Sequence, residues 1–208
     1  MNVVCSQGST VKGFDIYHGD NISNIQETIS AGFEFAYLKA TEGINVTDSR
    51  FYSRWEAMKN DKIIRGAYHF FHPAQDPIAQ ARFFCSVVGV LGPGDMPCAI
   101  DWEVSDGVVS AKDQANGLVF LQEVEVRTEK TPVIYGSPYF LQALSLSGMF
   151  AKYPLWVAHY GVKCPLVPQP WTKWTLWQNS ESGAIPGIGS GDTDYFNGSL
   201  SDLVAFAK

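Results

Sequence analysis

The chain has 208 residues, 46% of them hydrophobic and 17% charged, and a formal net charge of −6. Its length and apolar content suit one large domain of barrel or sandwich size, and its acidic balance argues against nucleic acid as a partner, because non-specific binding there needs a basic surface. No apolar run is long enough to cross a bilayer, and residues 1–12 lack the apolar core of a secretory leader, so synthesis in the cytoplasm without a Sec-type signal and no membrane insertion are expected.

Residues 1–12 form a polar lead-in, and 13–208 reads as one undivided domain, since no low-complexity tract or Pro/Ser linker interrupts it. Residues 13–18 alternate in strand fashion and stop at Gly19-Asp20-Asn21. A short helix over 24–31, closed by Gly32, leads to a strand over 33–40 that ends in Thr41-Glu42-Gly43. A second helix is expected over 49–62, with Ser49 as its N-cap and Phe51, Trp55 and Met58 at near-helical spacing. Residues 63–71 are a run of β-formers ended by His72-Pro73, and the helical pattern returns over 77–88. Gly92-Pro93-Gly94 then turns the chain into the stretch Met96-Pro97-Cys98-Ala99-Ile100-Asp101-Trp102-Glu103-Val104.

That stretch carries two carboxylates two residues apart. In a strand, side chains at i and i+2 share a face, so Asp101 and Glu103 stand side by side while Ile100, Trp102 and Val104 face the other way. Burial and like charge both oppose ionisation and push at least one of the two pKa values upward. A carboxylic acid kept protonated near neutrality is a proton donor; the plainer reading is a salt-bridged strand end.

The longest helix candidate covers 112–129. Strands follow at 132–136, 155–161 and 174–178, with a helix over 139–146 between the first two and only a Pro-rich loop between the last two. A last strand falls in 191–198, before a closing helix over 200–207. Eight strands, about five of them followed by helices, describe a single irregular, parallel (β/α) TIM-like barrel with a reduced number of helices. Such barrels place their sites at the strand C-termini.

The strand ends gather Asp15, Tyr17 and His18; Lys39 and Glu42; Tyr68, His69 and Phe71; Asp101 and Glu103; Tyr135; His159 and Tyr160; Trp177 and Gln178; Asp192 and Asp194. Acids and aromatics at one mouth describe a sugar site, because flat aromatic faces stack on pyranose rings and carboxylates cut glycosidic bonds or hold hydroxyls. His69 and His72, three residues apart at a strand end, are poor metal ligands without further support, so neither metal nor cofactor is expected. Lys39 near Glu42 has the plain reading of an ion pair. Cys5, Cys85, Cys98 and Cys164 include no C-x-x-C pair, which favours free, mostly buried thiols over a zinc site or a dense disulfide framework and leaves a single bridge open.

Taken in order, Gly13-Phe14-Asp15-Ile16, Phe35-Ala36-Tyr37-Leu38-Lys39-Ala40-Thr41-Glu42-Gly43, Gly66-Ala67-Tyr68-His69-Phe70, Ile100-Asp101-Trp102-Glu103, Ile134-Tyr135, Leu155-Trp156-Val157-Ala158, Leu176-Trp177-Gln178 and the segment 192–198 resemble the motifs of the glycoside hydrolase family 25 lysozymes, the fungal- and phage-type N-acetylmuramidases. The match runs over nearly everything from Gly13 onward. It is carried by Lys-Ala-Thr-Glu-Gly and Asp-x-Glu jointly, at this separation.

The resemblance implies hydrolysis of the β-1,4 bond between N-acetylmuramic acid and N-acetylglucosamine in peptidoglycan, without a cofactor, by an enzyme acting on the cell wall after release. It implies Glu103 as general acid, Asp101 as its companion, and Asp15 and Asp192 as the other two acids. Tyr68, Tyr135, Trp177 and Gln178 fall on positions that look substrate-lining, and Tyr37, Glu42 and Trp156, in the same matched segments, are expected to join them. A monomer is expected. There are two departures: Tyr17-His18-Gly19-Asp20 stands where the family continues with Ser and then Gln-Gly, and Asp194 stands where it commonly has Asn. Competing readings are a chitin or chito-oligosaccharide hydrolase, a non-catalytic glycan-binding barrel, and a metal-dependent phosphodiesterase barrel using strand-end acids and histidines as ligands.

Overall fold

The computed structural model describes residues 1–208. Eight strands close into a barrel: β1 (Thr10–Ile16), β2 (Phe33–Glu42), β3 (Ile64–Phe70), β4 (Ala99–Asp101), β5 (Val133–Gly136), β6 (Leu155–Ala158), β7 (Leu176–Ile185) and β8 (Gly189–Asn197). Each pairs with its neighbour in sequence, and β8 pairs back to β1. The helices are α1 (Ile25–Ser30), α2 (Phe51–Asn60), α3 (Pro77–Val88), α4 (Ser110–Thr128), α5 (Pro138–Leu144) and α6 (Leu200–Phe206). Thus the first five strands are each followed by a helix, and β6 and β7 by none.

The expectation of a parallel barrel holds from β1 to β7 and fails at β8, which runs antiparallel to both β7 and β1. The reason is chain length. A parallel return needs a crossover of roughly a dozen residues or more, and only Pro186, Gly187 and Ile188 separate β7 from β8. Gly187 and Gly189, at φ 81° and 115°, turn the hairpin through conformations that favour glycine.

Local sequence sets the helix starts. Asp76 caps α3 by accepting from the N–H groups of Ile78 and Ala79, with Pro77 in the first turn where a missing N–H costs nothing. Ser199 and Asp202 form a reciprocal capping box on α6. Ser49 does not cap α2: Asp48 accepts from the N–H of Arg50, and the helix begins one residue further on, at Phe51.

Alternation along the strands sorts side chains into two cores. Phe14, Ile16, Leu38, Ile100, Trp102, Ile134, Leu155 and Val157 face outward and meet the helices, whereas Phe35, Tyr37, Tyr68, Ala99, Val133, Tyr135, Trp156 and Leu176 fill the barrel interior. His69 shares the outward parity. It is buried against Phe84 and Phe120, with Thr41 Oγ1 2.7 Å and Gln80 Oε1 3.1 Å from its two ring nitrogens, and burial lowers its pKa to about 3. It is a neutral core histidine.

The lead-in is not free. Residues Asn2–Val3 pair antiparallel with Leu166–Val167, Val4 N–H donates to the Pro165 carbonyl at 3.0 Å, and Cys5 is joined to Cys164 by a disulfide. The expectation of free thiols holds for Cys85 and Cys98 and fails for Cys5 and Cys164. The two partners are 159 residues apart, so no spacing rule connects them; the small sheet brings them together. No helix is long and apolar enough to cross a membrane.

Candidate active site

The C-terminal ends of the parallel strands open on a cavity of about 260 Å³. β1 supplies Asp15, β3 Tyr68, β4 Asp101 with Glu103 just beyond, β5 Tyr135, β6 Trp156 with Tyr160 beyond, β7 Gln178 and Glu181, and β8 Asp192. None of these side chains is basic.

The acid pair is built as its spacing requires, with one difference. β4 stops at Asp101, so Glu103 stands on irregular chain. The alternation nevertheless carries on, because Trp102 N–H donates to the Tyr135 carbonyl at 3.0 Å, and the Trp102 indole faces outward to donate to Asp113 Oδ1 at 2.9 Å. Asp101 is buried and Glu103 exposed, and their carboxyl groups lie within hydrogen-bonding reach. Burial, followed by the Glu103 charge and that hydrogen bond, pushes the Asp101 carboxyl well above its ordinary range. Asp101 Oδ1 is buried and has no hydrogen-bond partner.

Opposite, Gln178 organises a second cluster. Its Oε1 accepts from Tyr135 at 2.7 Å and Tyr160 at 2.6 Å, which leaves its Nε2 to donate to Asp15 Oδ2 at 2.6 Å. Asp192 is half-buried, and burial with the charges of Asp20, Glu181 and Glu103 raises it to about 6. Trp156 forms the floor, stacked on Tyr37 with ring centroids 4.6 Å apart and met edge-on by Tyr135 and Tyr68.

Three expected lining residues lie elsewhere. Tyr37 is fully buried one layer below, its hydroxyl donating to the Pro97 carbonyl at 2.9 Å. Glu42 accepts from Lys39 at 2.6 Å and lies 3.3 Å from His72, whose other nitrogen meets Asp106 at 3.0 Å. The ion-pair reading of Lys39 and Glu42 therefore holds. Trp177 is adjacent to Gln178 and so must face the opposite way. It lies on the outer wall against Trp174 and Tyr195, its indole donating to the His159 carbonyl.

Two lining residues go beyond the expected set. Tyr160 already stood among the strand-end residues. Glu181 gave no signal: β7 is irregular on both sides of Ser180, and the extra residues break the two-residue alternation that would have assigned its face. No three Asp, Glu, His or Cys side chains, in the cavity or outside it, are arranged to hold a metal ion.

The family model for glycosyl hydrolases family 25 matches residues 14–188. Lysozyme M1 of Streptomyces globisporus is 38% identical over 213 residues, spanning 96% of this chain and 72% of that protein. An N,O-diacetylmuramidase of Arthroderma benhamiae is 29% identical over 98% of this chain and 89% of its own. Among solved structures, a bacterial lysozyme from Streptomyces coelicolor superposes with a TM-score of 0.91 at 37% identity, covering 96% of this chain and 97% of that one. A family GH25 lysozyme from Aspergillus fumigatus superposes with a TM-score of 0.89 at 29% identity, covering 96% of this chain and 100% of its own.

Proposed function

The chain belongs to glycosyl hydrolases family 25 and is a peptidoglycan-hydrolysing muramidase, and we propose that Glu103 is its general acid, held and loaded by Asp101. The observation that carries this reading is the pairing of a buried carboxyl, pushed well above its usual range, with an exposed carboxyl on the cavity rim. The buried member keeps a proton near neutrality, and the exposed one reaches the glycosidic oxygen between N-acetylmuramic acid and N-acetylglucosamine. With no basic group in the lining, nothing draws that proton away by forming an ion pair there.

The same geometry bears on the second half of the reaction. A nucleophilic carboxylate sits about 5 Å from the acid, and a base that activates water sits about 6.5–9.5 Å away. Asp101, buried and raised well above its ordinary range, is a poor carboxylate nucleophile. This supports attack by the substrate's own 2-acetamido oxygen, with Asp101 orienting the amide and Glu103 donating to the leaving oxygen. Asp15 and Asp192, across the cavity, stabilise the developing positive charge of the sugar ring. The Trp156 floor and the Tyr68 and Tyr135 walls are the apolar surfaces for the pyranose faces.

The enzyme acts on the wall after release from the cytoplasm. The Cys5–Cys164 disulfide supports that placement, since such bonds persist in oxidising surroundings.

The test is Glu103→Gln, which keeps the shape and removes the proton. Loss of about 10²–10⁴-fold in sacculus hydrolysis is expected with an unchanged circular dichroism spectrum, and more than a tenth of wild-type activity would refute the assignment. Borohydride reduction of the wild-type digest is expected to give muramitol at the new ends; glucosaminitol, or faster cleavage of chitin oligomers, would refute the bond assignment.

A further inference from the structure

Asp194 takes no part in the lining, yet it is the most deeply buried acid near the cavity, 1% exposed. Its Oδ1 accepts from the Trp156 indole N–H at 2.8 Å. Its Oδ2 is buried and has no donor. The antiparallel register of β8 on β1 puts Asp192 opposite Asp15 and Asp194 opposite Gly13, so Asp194 is the diagonal neighbour of Asp15 on the inner face. Gly13 carries no side chain to part them, and a hydrogen bond between the two carboxyl groups pulls Asp15 up and Asp194 down. Two carboxylates cannot hydrogen-bond to each other; a carboxylic acid and a carboxylate can.

We propose that Asp194 is a positioning residue that shares one proton with Asp15 through catalysis, fixing the Asp15 carboxyl between Asp194 and Gln178. This rests on the reading of Asp15 as a catalytic-site acid. The chain of contacts is then continuous. Trp156 holds Asp194, Asp194 and Gln178 hold Asp15, and Tyr135 and Tyr160 hold Gln178. The sugar floor and the Asp15 carboxyl are thereby set in one frame.

The consequence is a pH limit set by a residue that never touches substrate. The titratable groups facing the pair are Asp192 on β8, Tyr37 on β2, Tyr68 on β3, Tyr135 on β5 and Tyr160 beyond β6. The four tyrosines are all held above their ordinary range and stay neutral. No Lys, Arg or His pairs with Asp15 or Asp194. Burial, against the opposing pull of its hydrogen bonds, raises Asp194 to about 8. Loss of the shared proton leaves two adjacent buried anions, which must move apart.

The experiment compares kcat/KM against pH for wild type, Asp194→Asn and Asp194→Ala on soluble peptidoglycan fragments. Asparagine keeps the acceptor for Trp156 and offers an N–H to Asp15, but cannot titrate. Expected are an alkaline limb near pH 8 in wild type, activity within about threefold of wild type for Asp194→Asn at pH 5–6 with that limb moved up by about one pH unit or more, and a loss of at least about tenfold for Asp194→Ala. An alkaline limb that is unchanged in Asp194→Asn overturns the proposal, as does full activity in Asp194→Ala; if the alanine protein does not fold, the asparagine profile decides alone. All arms keep Glu103, so failure of the general-acid assignment shows separately, in Glu103→Gln.

Discussion

Replacing Gly117 by alanine sets two physical effects against each other at a distance from the cavity. Gly117 lies inside α4, where alanine is favoured over glycine by about 1 kcal/mol. Yet a Cβ built there overlaps the six-membered ring of Trp102. That ring cannot retreat: it is fully buried, with Phe71 edge-on at 5.8 Å and Phe150 at 6.2 Å, and its N–H is tied to Asp113. Overpacking of this kind costs about 1–3 kcal/mol, and with the ring boxed in, the upper part of that range applies. The net is a destabilisation of about 1–2 kcal/mol, or about 2–8 °C in Tm for a chain of this size. Because Trp102 sits between Asp101 and Glu103, a shift of about 1 Å in its backbone misplaces both acids and costs about 10²-fold in rate. Calorimetry gives the first number, and release of reducing ends from sacculi, measured well below both unfolding midpoints, gives the second. A Gly117→Ala protein with unchanged or raised Tm and wild-type turnover would refute the reasoning that Trp102 anchors the acid pair.

Removing the disulfide with Cys5→Ser and Cys164→Ser should lower stability by up to about 5 kcal/mol, from the entropy of closing a loop of 159 residues; equal denaturation midpoints with and without reductant would contradict this. Alkylation of denatured, unreduced protein should label Cys85 and Cys98 only, as read by mass spectrometry. Gln178→Leu removes the acceptor shared by Tyr135 and Tyr160 and the donor to Asp15, so kcat/KM should fall by about 10-fold or more; activity within twofold of wild type would show that Asp15 needs no such support. Asp15, Asp101 and Asp194 bind their protons more tightly folded than unfolded. Their contribution to stability is therefore whole below about pH 4 and is lost as the pH rises through each raised value, about 8 for Asp194. Tm should be lower at pH 8 than at pH 5, and a rising Tm over that interval would count against the raised values.

Much of this was legible in the residues because barrel strands obey a two-residue alternation. That rule places Asp15, Asp101, Tyr135 and Gln178 inward and puts Trp102 in the outer core. Applied strictly, it also places Trp177 outside, since neighbours on a strand cannot share a face; the matched motif pointed the other way. The antiparallel turn of β8 shows only once the strands are seen to extend: read over 174–178 and 191–198 they leave room for a crossover, whereas β7 runs on to Ile185 and β8 starts at Gly189. Two features were out of reach. Glu181 faces the mouth only because β7 is irregular around Ser180, and Cys5 finds Cys164 only through a small sheet formed by two-residue strands far apart in the chain. Neither local propensity nor periodicity encodes such pairings.

The seam between β1 and β8 also orders events in time. Thr10–Ile16 leaves a ribosome well before Gly189–Asn197, the partner along one of its edges. Until that partner arrives the sheet has an open edge, and Asp15 has no Asp194 beside it and no closed barrel to bring Gln178 across to it. Contacts of such long sequence separation form late. A nascent or prematurely terminated chain therefore carries the acid pair but no mouth. The cell that makes this wall-cutting enzyme meets its competent form only once translation has run through the last strand.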